Sequence, residues 1–200
     1  MTASLAVKTE LSQRDSPFGY PLIQGGCMKP IFEMLAAYNG TTNTELVSIL
    51  SELTDEDLAR KIGGFFLSIV CTLNHILMAD IVWLRRLVHA VPELKGLKHE
   101  LPEYQASSLS DTPWPTFPMI RPVRDLVDGQ LVDAATAIPE ASLTERITYR
   151  NTRGEKQEKT LSVVLLHVFN HQTHHRGQIA LMLDELGVEN DYSNLISKFG

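Results

Sequence analysis

Four of the chain's 7 histidines fall between His167 and His175. Imidazole both titrates near neutral pH and binds divalent metals, so such a cluster is where chemistry would be sought first. On a helix turning about 100° per residue, Leu161, Val164, Leu165, Val168, Ile179, Leu183 and Leu186 form one apolar stripe. His175 falls inside that stripe, and His171 lies on its margin, about 40° away. His174 is turned about 100° from His175, and His167 lies about 12 Å from it along the axis. His171 and His175 are therefore an i, i+4 pair on the inward side, a spacing that brings two imidazoles to one ion at about 2.0–2.1 Å from each nitrogen. Helical zinc proteases use this spacing with a Glu after the first His as general base. Here that residue is Gln172, which cannot do the work of a base. A di-iron carboxylate centre is excluded as well: it needs Glu-x-x-His pairs, and no Glu in this chain has His three residues later.

A pair of histidines is not yet a site. The candidate third ligand is His75, in residues 65–88, the most apolar helical segment of the chain. That helix is hydrophobic nearly all round, so its periodicity permits His75 as a ligand without choosing a face for it. The plain alternative is a core histidine with a hydrogen-bond partner.

Other elements must position these residues. The first 27 residues, with Pro17, Gly19, Pro21, Gly25 and Gly26, read as a loosely ordered lead-in, and 28–200 as one domain. A helix is expected from Pro30 to about Leu53, with Asn39-Gly40 as a candidate kink. Thr54-Asp55-Glu56-Asp57 is a helix-start signature. Residues 89–118 carry five prolines and exceed the usual connection of about 4–6 residues. They read as a site cover, a partner surface, a flexible excursion or a plain surface loop. Helical periodicity resumes over 120–137. Residues 146–160 read as a hairpin turning at Thr152-Arg153-Gly154-Glu155. The last helix is expected from about Leu161 to Leu186, stopped by Gly187. The expected fold is all-α: an up-and-down four-helix bundle with a small β-hairpin insertion, an architecture that holds metal between facing helices. The second apolar face of the 65–88 helix leads to the expectation of a two-fold homodimer.

Composition narrows the function. A formal net charge of −6 lacks the basic footprint of direct nucleic-acid or anionic-membrane binding. Residues 62–79 are uncharged, but 18 positions interrupted by Gly63, Gly64, Asn74 and His75 fall short of the about 20 apolar residues of a spanning helix. Two cysteines, Cys27 and Cys71, make no disulfide framework, and no targeting signal is visible, so a reducing cytoplasm is the expected location.

Two stretches carry a family resemblance: Asn74-His75-Ile76-Leu77-Met78-Ala79-Asp80 with Trp83, and the run from His167 to Gln178 that contains Asn170-His171-Gln172-Thr173-His174-His175-Arg176-Gly177. Over roughly residues 28–186 the chain resembles the DinB/YfiT family. The resemblance implies a four-helix bundle, often dimeric, with His75 from the second helix joining His171 and His175 from the fourth. It also implies one divalent metal ion per chain, with zinc or nickel favoured over iron or manganese. Members include damage-inducible proteins of uncertain activity and relatives of thiol-dependent transferases. The implied function is thus a metal-dependent thiol S-transferase or hydrolase activating a thiol or water, with a small-molecule substrate and a low-molecular-weight thiol as partners. The alternative is a non-catalytic metal-binding stress or interaction protein. Three neutral ligands with a fourth position open suit a catalytic centre. Asn74, Asp80, His174 and Gln178 are candidates to support the ligands. Arg176, turned about 100° from His175 and away from the metal face, is expected in a structural salt bridge. Trp83, Trp114, Phe117 and Tyr149 are candidates for lining a cavity or anchoring the core.

Overall fold

The computed structural model describes residues 27–99 and 101–199. Apart from Cys27, the expected lead-in lies outside them. Helix α1 (Lys29–Leu50) carries Pro30 in its first turn, one residue after its start. Its first N–H groups are capped from far along the chain: Met28 N and Lys29 N donate to the two carboxylate oxygens of Glu140 at 2.9 and 2.7 Å. A carboxylate there satisfies orphan donors and meets the positive end of the helix. Asn39-Gly40 makes no break. The Asn39 side chain bonds other helices instead of competing for its own backbone, so the helix runs through.

Thr54 does start a helix, its Oγ accepting from Asp57 N at 3.1 Å, but α2 (Asp55–Ala59) is only 5 residues long. The long apolar helix begins later than expected. Gly64 (φ 75°) and Leu67 (φ 66°) hold left-handed conformations, and Ser68 caps α3 (Ile69–Ala90) by accepting from Cys71 N. Residues 65–67 belong to the connection, not to the helix.

The proline-rich stretch is neither structureless nor detached. A 3-10 helix (Pro92–His99) follows α3 and packs on it, and the stretch beyond reaches back to α3 at Pro102, Tyr104, Leu109 and Trp114. Asn74 fastens this stretch, donating to Trp114 O at 2.8 Å and accepting from Trp114 N at 2.9 Å. Arg85 donates to Pro102 O, and Leu94, Leu101 and Trp114 are buried. The second apolar face of α3, on which the homodimer expectation rested, is thus covered by the same chain. Pro118, counted above among the loop prolines, stands in the first turn of α4 (Phe117–Ala137), where its missing N–H costs nothing.

Strands β1 (Arg146–Arg150) and β2 (Lys156–Thr160) form the expected antiparallel hairpin, with Tyr149 opposite Gln157. Asn151 closes its turn by accepting from Arg153 N and Glu155 N, with Gly154 at φ 80°. Helix α5 (Leu161–Glu185) ends in a left-handed Gly187, with Val188 N donating to Leu183 O and Gly187 N to Asp184 O, the two bonds of a Schellman stop. A short α6 (Leu195–Lys198) returns to α1 through Lys198 and Glu45.

The protein is thus mostly helical with a two-stranded sheet. Helices α1 and α3 each pack against both α4 and α5. Between them lies an apolar core that includes Leu50, Leu77, Met78, Leu84, Val127 and Ile179. Inside this core runs a buried polar network. Asp80 of α3 takes a hydrogen bond from Arg124 Nη1 of α4 at 2.7 Å and another from Gln172 Nε2 of α5 at 2.8 Å. Arg124 forks onto Asp128 through Nε (2.9 Å) and Nη2 (2.8 Å). Asn39 and Asn43 of α1 both donate to Asp128 Oδ1. Arg176 of α5 donates to the side-chain oxygens of Asn39, Asn43 and Gln172. It is held by amides, not by the expected salt bridge, and the nearest acids already belong to Arg124. Among the described residues no helix is long and apolar enough to cross a membrane.

Breaking a buried ion pair from one side typically costs about 3–5 kcal/mol, because the other charge is left stranded. Arg124→Met should therefore lower the unfolding free energy by about that much in a urea titration. Arg60→Ala, which removes an exposed pair with Asp57, should barely move the midpoint. Equal effects from the two variants would refute a stability role for the network.

Candidate metal centre

Helices α3 and α5 bring three imidazoles to one point. His75 Nε2 lies 3.1 Å from His171 Nε2, and His175 Nε2 lies 3.0 Å from the same atom. One ligating nitrogen from each of the three falls within 4.8 Å of the others. His171 and His175 share a face of α5 as their i, i+4 spacing required. His75 faces them because the register of α3 against α5 is fixed a little over a turn away, where Asp80 meets Gln172.

The outward nitrogens explain why the inward ones are available. His75 Nδ1 is 2.9 Å from the Leu109 carbonyl, and His175 Nδ1 is 2.8 Å from Gln178 Oε1. Both partners are acceptors, so each Nδ1 carries its proton and each Nε2 turns a lone pair inward. Burial also holds the rings neutral. His75 and His175 are only 9% and 6% exposed, and both have pKa values pushed down, chiefly by desolvation. His171 is pushed down to about 3 by desolvation and then by the neighbouring histidines. Converging lone pairs at this spacing repel one another unless a proton or cation lies between them. A tetrahedral ion at about 2.0–2.1 Å from each nitrogen would want them about 3.3–3.4 Å apart, a few tenths of an ångström from the distances found. The donor set fits a divalent metal ion.

Around the triad, Phe66 stacks on the His75 ring at 4.1 Å between centroids and stands edge-on to His175 at 5.5 Å. This closes one flank with an apolar wall. On the other flank His171 borders a cleft of about 230 Å3 that also includes Trp83, Arg86, Tyr149 and His167. Trp83 lies 5.1 Å from Tyr149 and 5.2 Å from His167, so the hairpin's role is to complete this wall.

Of the four residues expected to support the ligands, Gln178 does so directly. His174 is exposed, with its ring edge-on to His175 at 4.8 Å and its ring nitrogen 3.2 Å from Gln178 Nε2. Asn74 holds the Trp114 backbone, and Asp80 points into the polar network. Trp83 and Tyr149 line the cleft, whereas Trp114 and Phe117 are buried. The supporting group that sequence reasoning missed is the Leu109 carbonyl, a main-chain atom that leaves no signature in residue types.

Comparisons with known proteins bear on the family and on the fold. The family model described as DinB family matches residues 28–197. Protein DinB of Bacillus subtilis (strain 168) is 26% identical over 158 residues, covering 76% of this chain and 84% of that protein. A crystal structure of a DinB-like protein from Bacillus cereus ATCC 10987 superposes with a TM-score of 0.54 and 22% identity, covering 78% of this chain and 93% of that one. At that identity the likeness concerns the fold.

The neutral histidines set a pH dependence. Free histidine titrates at about 6.5, whereas His171 in the folded chain titrates at about 3. Between those values His171 binds a proton in the unfolded chain and not in the native one, so its contribution to native stability is full above the upper pH and is lost as pH drops through the window. The raised carboxyls of Asp80 and Asp128 work in the opposite direction. As pH falls across the window, urea midpoints of metal-free protein should drop relative to those of the triple variant H75A/H171A/H175A, which keeps the aspartates and lacks the rings. Coincident slopes would show that the three rings are not held neutral by the fold.

Proposed function

The chain belongs to the DinB family, and from that premise we propose that it is a metal-dependent enzyme of the thiol S-transferase or hydrolase type. In this reading residues 28–200 are one domain, and α1, α3, α4 and α5 are the members of an up-and-down four-helix bundle. His75, His171 and His175 hold one divalent ion through their Nε2 atoms. The convergence of three neutral imidazole nitrogens beside an open cleft is the observation that carries the reading. Imidazole donors suit zinc and nickel, and also iron.

A divalent ion held by uncharged ligands keeps its full charge and brings a thiol or water toward ionisation near neutral pH. The chain's own residues do the rest. Leu109 and Gln178 fix the tautomers and ring planes of His75 and His175. Phe66 excludes water from one side. The cleft bounded by Trp83 and Tyr149 offers a substrate an apolar surface on the other. A low-molecular-weight thiol is the co-substrate that the transferase reading calls for. Cys27 and Cys71 are free thiols, which suits a reducing cytoplasm. A two-fold homodimer would have to use exposed apolar side chains such as Val163, Leu166 and Leu181 of α5, since α3 offers no free face.

Protein purified without a polyhistidine tag should carry close to one divalent ion per chain by metal analysis. His171→Ala should lose it, and His174→Ala should keep it. Gln178→Ala should weaken binding by about 10–100-fold, the usual loss when a ligand's hydrogen-bond partner is removed. Chelation should abolish turnover of thiol or ester substrates while circular dichroism stays helical. Turnover unchanged in folded, metal-free protein would end the mechanism. Metal bound without any turnover would favour the alternative, a non-catalytic metal-binding stress or interaction protein.

A further inference from the structure

Arg86 is a half-buried cation with no acid against it among the described residues, whereas Arg121 and Lys61, which also lack one, are exposed. Arg124 has Asp80 and Asp128, Arg85 has Glu103, and Arg60 has Asp57. Arg86 makes no hydrogen bond or ion pair with a described residue. Its guanidinium carbon sits 4.5 Å from the Trp83 ring centre and 5.1 Å from that of Tyr149. Cation–aromatic contact steadies the group but leaves its five N–H donors unspent. No Asp or Glu borders the cleft, although the chain carries 24 of them.

The position matters as much as the lack of a partner. Helices α3 and α5 run along the cleft together, and a chain of ring contacts links the triad to Arg86. His171 to His167 is 5.9 Å, His167 to Trp83 is 5.2 Å, and Trp83 to Arg86 is 4.5 Å. The cleft thus joins one imidazole of the triad, His171, to a positive fork along a wall of rings. Half-burial already lowers the Arg86 pKa by desolvation, a cost that an anion bound to the fork would offset.

We propose that this cleft takes a small organic anion: an apolar or aromatic body lying against Trp83 and His167, with a carboxylate or phosphate held by Arg86. The volume of about 230 Å3 is below the range of about 300–1,000 Å3 that encloses drug-sized ligands. The ligand is therefore a small molecule or one end of a larger one. This deepens the metal-enzyme reading by naming its substrate class. It rests on that reading only for which end of the ligand reacts.

The test is calorimetric titration with benzoate, phenyl phosphate and the neutral isostere benzamide, on metal-loaded and on chelator-treated protein. At least one of the two anions should bind about tenfold or more tighter than benzamide in both states, the worth of a charge-assisted hydrogen bond. Which anion wins distinguishes carboxylate from phosphate. Arg86→Gln should erase the preference while leaving metal content unchanged. Arg86→Lys should keep part of it through charge alone. The proposal is overturned if neither anion binds, if Arg86→Gln keeps the preference, or if chelation abolishes it, since the ion would then be the anion's partner. Protein that binds no metal at all would sink the enzyme reading, and the chelator-treated titration would still decide this one. If the variants do not fold, rising sodium chloride on the native protein replaces them: anion affinity must fall while benzamide affinity holds.

Discussion

The structure depends first on one requirement: two aspartates and two arginines have been taken out of water, and each must be satisfied inside the core. Asp80 and Asp128 balance Arg124 and Arg176 in charge, and Asn39, Asn43 and Gln172 supply the remaining donors and acceptors. Desolvation pushes both carboxyls up, Asp80 to about 6, while the Arg124 guanidinium pulls the other way. Such a cluster adds little net stability over a well-packed apolar core, but a mis-paired alternative is costly, so it selects one arrangement. Its members come from all four long helices. Sliding α5 along α3 by one turn, about 5.4 Å, would strand Asp80 and Gln172 together.

That register is what the histidine triad uses. His75 stands five residues before Asp80 on α3, and His171 one residue before Gln172 on α5. The hydrogen bond between Asp80 and Gln172 therefore fixes both the height and the rotation at which the imidazoles meet. The stretch after α3 finishes the job from outside. Asn74 pins it through the Trp114 backbone, and it returns a carbonyl, at Leu109, to the neighbouring His75. A site held from two directions keeps its geometry before any ligand arrives, which is what low reorganisation requires.

What could be read from the residues alone follows from how local each signal is. The pair His171 and His175 was legible because helical periodicity is a property of one segment. The hairpin and the stop at Gly187 were legible for the same reason. His75 was not placed by periodicity, since α3 is buried on nearly every side and its wheel has no polar face; the family motif supplied it. The start of α3 was misread because Ser68 is one capping residue among several candidates, and Thr54 gave a stronger local signal for a helix of only five residues. Asn39-Gly40 looked like a kink because the partners that occupy Asn39 lie in α4 and α5, far along the chain. The carbonyl of Leu109 had no signal to give.

The use of α5 shows why Gln172 and Arg176 belong beside the histidines in any account of the site. Residues 171 and 175 form one i, i+4 ladder, and residues 172 and 176 form a second, turned about 100° from the first. The first ladder gives its imidazoles to the centre shared with α3. The second gives its amide and guanidinium to the network shared with α1, α3 and α4. Gln172 occupies the place where a zinc protease carries its catalytic Glu, yet its side chain is fully buried and turned away from the triad. A carboxylate there could still accept from Arg176, as the Gln172 oxygen does, but it could not donate to Asp80 and would set like charge against it. The same residue that removes a general base from the centre thus completes the core that aligns it, and rotating α5 to improve either ladder would break the other.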